Sequence, residues 1–327
     1  MIITRTPLRV SFFGGGSDYP EYFLKHGGAV LASAIDKYSY ITASPFPSGL
    51  FDYAIRISYR KVELAKNLDD IEHKVYRECL RHCGLDRDIE LHNVADLPAF
   101  TGLGSSSTFT VGLLHALHAF KGHSPQGMNL AYEAIHIERS CLGENVGCQD
   151  QTMAAAGGFH LVEFHALDDI RLRPVALSAA RQEELESHML LVFTRVLRRA
   201  SDVVAGQLSR IDSNTPALAR IHKMAYKGLE ILTGTSDICE FGKLLHHAWQ
   251  DKRTLSDQVS NPLVDGMYQL ALDNGACGGK LLGAGGGGFL LLFAPPEKQP
   301  GLLKAFKDYD IIRVRLNAPP SEVIFKT

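Results

Sequence analysis

Glycine is gathered at three widely separated points of this chain: Gly14-Gly15-Gly16, Gly102-Leu103-Gly104, and Gly283-Ala284-Gly285-Gly286-Gly287-Gly288. Glycine clears side chains from the backbone and admits positive φ, so such runs suit places where the chain approaches a ligand or another segment closely. The middle run is the most constraining. Pro98 to Thr110 reads PAFTGLGSSSTFT, with Ser105, Ser106 and Ser107 directly after the glycines and a helix-compatible run over 108–121. The serines supply hydroxyl donors and a natural helix cap. A helix start presents unpaired N–H groups and the positive end of its dipole, so this segment is suited to hold an anion such as phosphate. No Lys-Ser or Lys-Thr pair follows the glycines, which excludes the Walker loop, and GxGxxG is absent after the first strand. The residues alone equally permit a plain Gly/Ser loop that opens a helix.

A chain of 327 residues is long enough for two domains or one large core. Its 45% hydrophobic and 21% charged content is that of a globular protein. A formal net charge of -2 gives no electrostatic case for nucleic acid, and no basic block suggests a membrane surface. The apolar run from Phe289 to Ala294 is too short to cross a bilayer, and MIITRTPLRV lacks the features of a signal peptide, so a cytoplasmic location is expected. The six cysteines contain no CxxC pair, which predicts reduced thiols. His82 between Cys79 and Cys83, His115 with His118, and His246 with His247 each lack the second ligand pair of a structural zinc site.

Alternation and β-branched content predict strands over 2–13, 29–43, 53–59, 89–93, 159–164, 189–194, 289–293 and 310–316. Helical periodicity predicts helices over 67–83 (closed by Gly84), 108–121, 126–142, 199–208, 216–232, 238–252, 261–274 and 300–307. On the 126–142 helix, Ala131, Ile135 and Leu142 face the core and Glu138 falls on a different side. The charged stretch His165 to Arg173 marks a boundary, dividing the chain into 1–168 and 169–327. Three distant glycine turns together suggest a cleft in which separate backbone segments converge on one phosphorylated ligand. Phosphoryl transfer there needs a metal ligand, a group to position the attacking hydroxyl and a cation. Glu138, Asp150 and Arg9 are of the right types, but spacing alone does not select them.

The three turns also carry a resemblance. Pro98-x-x-x-Gly102-Leu103-Gly104-Ser105-Ser106-Ser107 resembles the second signature of the GHMP kinases (galactokinase, homoserine kinase, mevalonate kinase, phosphomevalonate kinase). Arg9-Val10-x-x-x-Gly14-Gly15-Gly16-Ser17-Asp18 resembles the first, and Lys280-x-x-Gly283-Ala284-Gly285-Gly286-Gly287-Gly288 the third. The order and spacing match over nearly the whole chain. The resemblance implies an α+β fold of two domains, with an N-terminal α/β domain containing a left-handed βαβ crossover and a C-terminal ferredoxin-like domain. ATP would lie between them, with Mg²⁺. It further implies nucleotide contacts from Pro98, Gly102, Leu103, Gly104, Ser105, Ser106, Ser107, Gly285 and Gly286. Ser106 (with Ser107 its neighbour) and Glu138 would hold the metal. Asp150 would take or orient the acceptor's proton, with Arg9 beside it, and Gly15, Gly16, Ser17, Asp18 and Gly283 would meet the substrate.

Galactokinase carries Glu-His-Thr-Asp where this chain has Gly15-Gly16-Ser17-Asp18, which argues against galactose. Gly-Gly-Gly-Ser-Asp together with Gly147-Cys148-Gln149-Asp150-Gln151 is most similar to the family branch acting on D-glycero-D-manno-heptose 7-phosphate. That branch phosphorylates the anomeric hydroxyl, for GDP-heptose and surface polysaccharide. Fucokinase is the alternative, and a non-catalytic ligand-binding protein of this fold a further one. The basic stretch Arg195, Arg198 and Arg199 offers cations for a distal phosphate, with Arg198 at the matching position and Arg195 replacing a glycine. The partners implied are a small sugar phosphate, neither nucleic acid nor membrane, and a homodimer is compatible with the resemblance.

Overall fold

The computed structural model describes residues 1–125, 127–197 and 200–327. Among these, twelve strands form two sheets. The first sheet holds β1 (Ile2–Phe13), β2 (Gly28–Pro45), β3 (Ile55–Ser58), β4 (Val62–Ala65), β5 (Ile89–Ala95), β6 (Phe159–Ala166), β7 (Asp169–Pro174) and β12 (Glu322–Lys326). The second, antiparallel sheet runs β11 (Ile311–Ile312), β8 (Met189–Phe193), β10 (Phe289–Phe293), β9 (Gly278–Leu281). The long strand β2 is the axis of the first sheet. It pairs β1 along one edge, and on the other it pairs β6 through Gly28–Ser33 and β5 through Ser39–Pro45. β3 and β5 are parallel, which requires a crossover connection between them.

Among the described residues, eleven α-helices clothe these sheets. In the first half they are α1 (Pro20–His26), α2 (Lys74–Cys83), α3 (Ser105–Phe120), α4 (Met128–Ile135) and α5 (Gln149–Ala156). In the second they are α6 (Ala179–Ser187), α7 (Ala200–Leu208), α8 (Ile211–Thr233), α9 (Cys239–Arg253), α10 (Pro262–Asp273) and α11 (Gln299–Ala305). α2 supplies the β3–β5 crossover. None of the described helices is long and apolar enough to cross a membrane.

Several expectations shift. The helix expected over 67–83 starts only at Lys74, because Asn67 and Asp70 form a capping box on a short 3₁₀ turn, Leu68–Asp70. α3 begins at Ser105 rather than Thr108, taking the three serines into its first turn. The helix expected over 126–142 ends its α-helical part at Ile135 and continues as a π-helical turn, His136–Cys141. That wider turn shifts the helical phase, and Glu138 is only 1% exposed instead of lying outside the apolar face. The strand expected over 310–316 shrinks to two residues. The short elements α1, β4, β7, α6, β9 and β12 had no sequence expectation. The division expected at 168 and 169 falls between β6 and β7, which pair with each other, while β12 pairs β1. The first sheet thus draws on segments from both sides of that division.

One core cluster packs α2, α3 and α4 against β3 and β5, with Tyr76, Leu80, Val111, Leu114 and Ala131 against Ile55, Ile57, Ile89 and Leu91. α3 lies tightly on β1, where Thr4 Oγ1 donates to Gly112 O and a Cβ on Gly112 would stand 2.8 Å from Thr6 Oγ1. A second cluster joins the two sheets through α8 and α9. Phe241 of α9 is its pivot, meeting Phe12 (5.3 Å between centroids) and Phe13 (5.0 Å) of β1 edge-on, and Phe293 of β10 at 5.7 Å. Phe241→Ala should therefore cost about 3–5 kcal/mol in equilibrium urea unfolding. A loss under about 1 kcal/mol would mean that this seam does not hold the sheets together.

Candidate active site

The second glycine turn takes its shape from two left-handed residues, Gly102 (φ +82°) and Gly104 (φ +77°). Gly104 caps α3, and the first intrahelical bond runs from Thr108 N to Gly104 O. The amides of Ser105, Ser106 and Ser107 precede that bond, and all three residues line one cleft. No acidic residue occupies the first turn of α3. An open helix start of this kind, with no acid beside it, is suited to an anion.

The third glycine turn closes on the second, backbone to backbone. A Cβ on Gly102 would fall 2.5 Å from Leu282 O, and one on Gly283 would fall 2.6 Å from Gly102 Cα. Phe289 N donates to Thr101 O at 3.0 Å. The first turn leans on the helices of the second half, since a Cβ on Gly16 would stand 2.9 Å from Leu218 Cδ2 and 3.9 Å from Leu255 Cδ1. Lys280, buried on β9, donates to Ser11 O (2.9 Å) and Phe12 O (3.0 Å), tying the second sheet to β1 just before the first turn.

Arg9, on β1, grips Asp150 on α5 with both prongs of its fork. Nε donates to Oδ1 and Nη2 to Oδ2, each at 2.8 Å, and Nη1 donates to Gly102 O at 2.8 Å. A bidentate pair fixes a carboxylate in plane as well as in place. Arg9 is buried, whereas Asp150 is half-buried and lines the cleft. Beside them, Asp18 Oδ1 accepts from Gly16 N at 2.9 Å and Oδ2 from Gln149 N at 3.4 Å. Burial pushes the Asp18 carboxyl up, against these backbone bonds. Gly147 is glycine because a Cβ there would enter the Asp18 carboxylate.

Glu138 stands behind the serines. Its Oε2 accepts from Ser107 Oγ at 2.9 Å and from Gln151 Nε2 at 2.5 Å, while Oε1 is buried without a hydrogen-bond partner among the described residues. Burial pushes its carboxyl up to about 7, against the hydrogen bonds that favour the anion.

Arg9, Gly15, Gly16, Asp18, Gly102, Gly104, Ser105, Ser106, Ser107, Asp150, Gly283 and Gly285 all line one cleft. Other expected contacts serve the walls. Ser17 is fully buried and donates to Gly14 O and Ala29 O, so it holds the first turn together rather than facing the cleft. Pro98 lies outside, its carbonyl accepting from Thr101 Oγ1, and Leu103 is core. Gly286 N donates to Val259 O. It is Ser107, rather than Ser106, that touches Glu138. Arg198 and Arg199 lie outside the described residues. Arg195 is exposed over the Tyr309 ring and near Asp310 at 3.8 Å, and it is not a lining residue.

The residue that sequence reasoning missed is Lys252. It lines the cleft from the last turn of α9, is 7% exposed, and donates to Gly283 O. A lysine near a helix C-terminus reads as ordinary solvated charge, so no pattern marks it. Burial pushes its ammonium down to about 8, helped by Arg9 and opposed by Asp18 and Asp150.

Two matches place the chain among known proteins. Residues 60–158 match the GHMP kinases N terminal domain, and residues 229–309 match the GHMP kinases C terminal domain. The D-glycero-alpha-D-manno-heptose 7-phosphate kinase of Campylobacter jejuni is 33% identical over 94% of this chain and 93% of its own. The chain belongs to the GHMP kinases. Members of this family transfer a phosphoryl group to an alcohol and use ATP, so this is a phosphotransferase. A bifunctional fucokinase/GDP-fucose pyrophosphorylase of Arabidopsis thaliana is 27% identical over 88% of this chain, which spans 29% of that protein. Among solved structures, a D-glycero-D-manno-heptose 1-phosphate kinase from Bacteroides thetaiotaomicron superposes with a TM-score of 0.81 at 25% identity, covering 100% of both chains. Phosphomevalonate kinase of Streptococcus pneumoniae shares the fold at a TM-score of 0.75 and 17% identity, covering 97% of this chain and 100% of that one.

The buried lysine makes stability depend on pH. In the unfolded chain its ammonium keeps its proton to about 10.5, so between about pH 8 and 10.5 the folded kinase sheds a proton that the unfolded chain retains. The burial penalty is complete below pH 8 and is relieved as pH rises through that window, by on the order of 3 kcal/mol. Relative to Lys252→Met, wild-type stability in urea should climb from pH 8 to 10. Parallel profiles would mean that Lys252 titrates normally.

Proposed function

We propose that this kinase transfers the γ-phosphoryl group of ATP to the anomeric C1 hydroxyl of D-glycero-D-manno-heptose 7-phosphate, giving the 1,7-bisphosphate and ADP, for GDP-heptose and surface polysaccharide synthesis. The observation that carries the reading is the forked Arg9–Asp150 pair sharing one cleft with the open N-terminus of α3. The heptose-phosphate relatives supply the acceptor. On this reading Gly102, Gly104, Ser105, Ser106, Ser107 and Gly285 cradle the β- and γ-phosphates. Asp150 accepts or orients the proton of the attacking hydroxyl, in an orientation fixed by Arg9. Gly15, Gly16 and Asp18 bound the acceptor side, where Asp18 receives a sugar hydroxyl.

Mg²⁺ fits the residues present. The unpartnered Glu138 Oε1 is a buried hard-oxygen donor with the Ser107 hydroxyl at its other oxygen and Ser106 one residue away. Glu138 with Ser106 or Ser107 would hold the ion, which when bound neutralises phosphate charge. Glu138→Gln should raise the Mg²⁺ concentration for half-maximal rate by at least about 10-fold. An unchanged Mg²⁺ dependence would remove Glu138 from the metal site.

The decisive assay is ADP release with Mg²⁺-ATP over heptose 7-phosphate, fucose, galactose, mannose, mevalonate and homoserine. Heptose 7-phosphate should be preferred, and Asp150→Asn should lower kcat by about 10²–10⁴-fold. Preference for fucose would favour the second reading, which the similarity to fucokinases supports. ATP binding without turnover of any acceptor would favour a binding protein.

A further inference from the structure

Three cations line the cleft among the described residues: Arg9, Lys252 and Lys280. Two are committed. Arg9 spends its fork on Asp150 and another N–H on Gly102 O, and Lys280 spends two of its three N–H bonds on carbonyls of β1. Lys252 has a single described partner, the neutral carbonyl of Gly283. An ammonium has three donors, so two are left over in a nearly closed wall. A buried charge hydrogen-bonded to one neutral acceptor, with Asp18 and Asp150 acting on it only through space, is costly, and an incoming anion would relieve that cost.

Position says which anion. Leu255 N donates to Lys252 O at 3.1 Å, and Leu255 is one of the two residues on which Gly16 rests. The end of α9 therefore stands beside the first glycine turn, the one that carries Asp18, while the Lys252 ammonium reaches across to the third turn at Gly283. The nucleotide phosphates already have the start of α3. Arg195, an alternative cation in the sequence, faces Tyr309 and Asp310.

We infer that Lys252 binds the phosphate that the acceptor sugar already carries, and so makes the enzyme select a phosphorylated sugar over the same sugar without phosphate. The inference rests on the sugar-phosphate reading above. No covalent step is involved: the ammonium donates to phosphate oxygens and keeps its bond to Gly283 O. The depressed ammonium pKa is consistent with this, since a dianion beside it would restore the proton.

The test compares wild type, Lys252→Met and Lys252→Arg on D-glycero-D-manno-heptose 7-phosphate and on unphosphorylated D-glycero-D-manno-heptose. Loss of a desolvated charge contact should raise KM for the phosphorylated sugar in Lys252→Met by about 30-fold or more. The KM for ATP should stay put, kcat should move far less than the acceptor KM, and the preference for the phosphorylated sugar should collapse. Lys252→Arg should restore most of that preference. An equal loss on both sugars, a fall confined to kcat, or a raised KM for ATP would overturn the inference in favour of a transfer, nucleotide or structural role. Should wild type turn over neither sugar, the substrate reading fails by itself. Calorimetric binding of the two sugars then decides on Lys252: selective loss of affinity for the phosphorylated sugar in Lys252→Met upholds its role, and equal affinity overturns it.

Discussion

The guanidinium of Arg9 is the point on which the site depends. It emerges from β1, holds the carboxylate of Asp150 on α5, and takes the carbonyl of Gly102 from the second glycine turn. Its backbone N–H also donates to Leu103 O, so main chain and side chain clamp the same turn. Burying such a charge is costly unless its donors are matched, and here a bidentate carboxylate and a carbonyl match them. Gly104 completes the lock. A Cβ there would stand a snug 3.3 Å from Arg9 Cγ and 3.4 Å from Asp150 Oδ2, and it is the positive φ of +77° that calls for glycine. The helix start and the acid that faces it are thus positioned by one side chain rather than by separate supports.

The contact between Gly102 and Gly283 extends this lock across the molecule. Two bare backbones touch, so the second glycine turn is pressed by the loop before β10 instead of being free to open. Lys280 fastens the same loop's strand to β1, and Phe241 packs the helix layer between the sheets. The cleft has walls from both halves of the chain, yet Arg9, the three serines, Asp150 and Lys252 sit on β1, α3, α5 and α9, elements with well-packed roots. Catalytic positioning of this kind favours rigid supports over long loops.

Much of this was legible in the sequence. The three glycine runs announced their own convergence, and the serines after Gly104 announced a helix start, because these features are local and chemical. Most of the long elements could be read from periodicity. Other features depended on tertiary context. Glu138 was read as facing away from the apolar stripe, because no residue pattern reports that a helix will widen into a π turn and swing a carboxylate inward. Ser17 looks like a ligand contact in sequence but is consumed by Gly14 O and Ala29 O. Lys252 has the spacing of any surface lysine, and only the packing of α9 against the third turn reveals it. Strands β4 and β9, of four residues each, are too short to show a period, and β7 and β12 are largely exposed strands without a continuous buried apolar face.

One of those strands bears on how the protein is assembled. Arg5 of β1 bonds Glu322 of β12, a separation of 317 residues. The edge of the first sheet is therefore sealed by a segment that leaves the ribosome long after the sheet itself. During synthesis β1 presents an open row of N–H and C=O groups while the whole second half is still being made, and an open edge is a template for pairing with another chain. Wide sequence separation of this kind also slows folding, since loop closure must precede the contact that rewards it. The first half is thus unfinished until the strand from the far end returns, and its sheet edge stays exposed to other nascent chains until then.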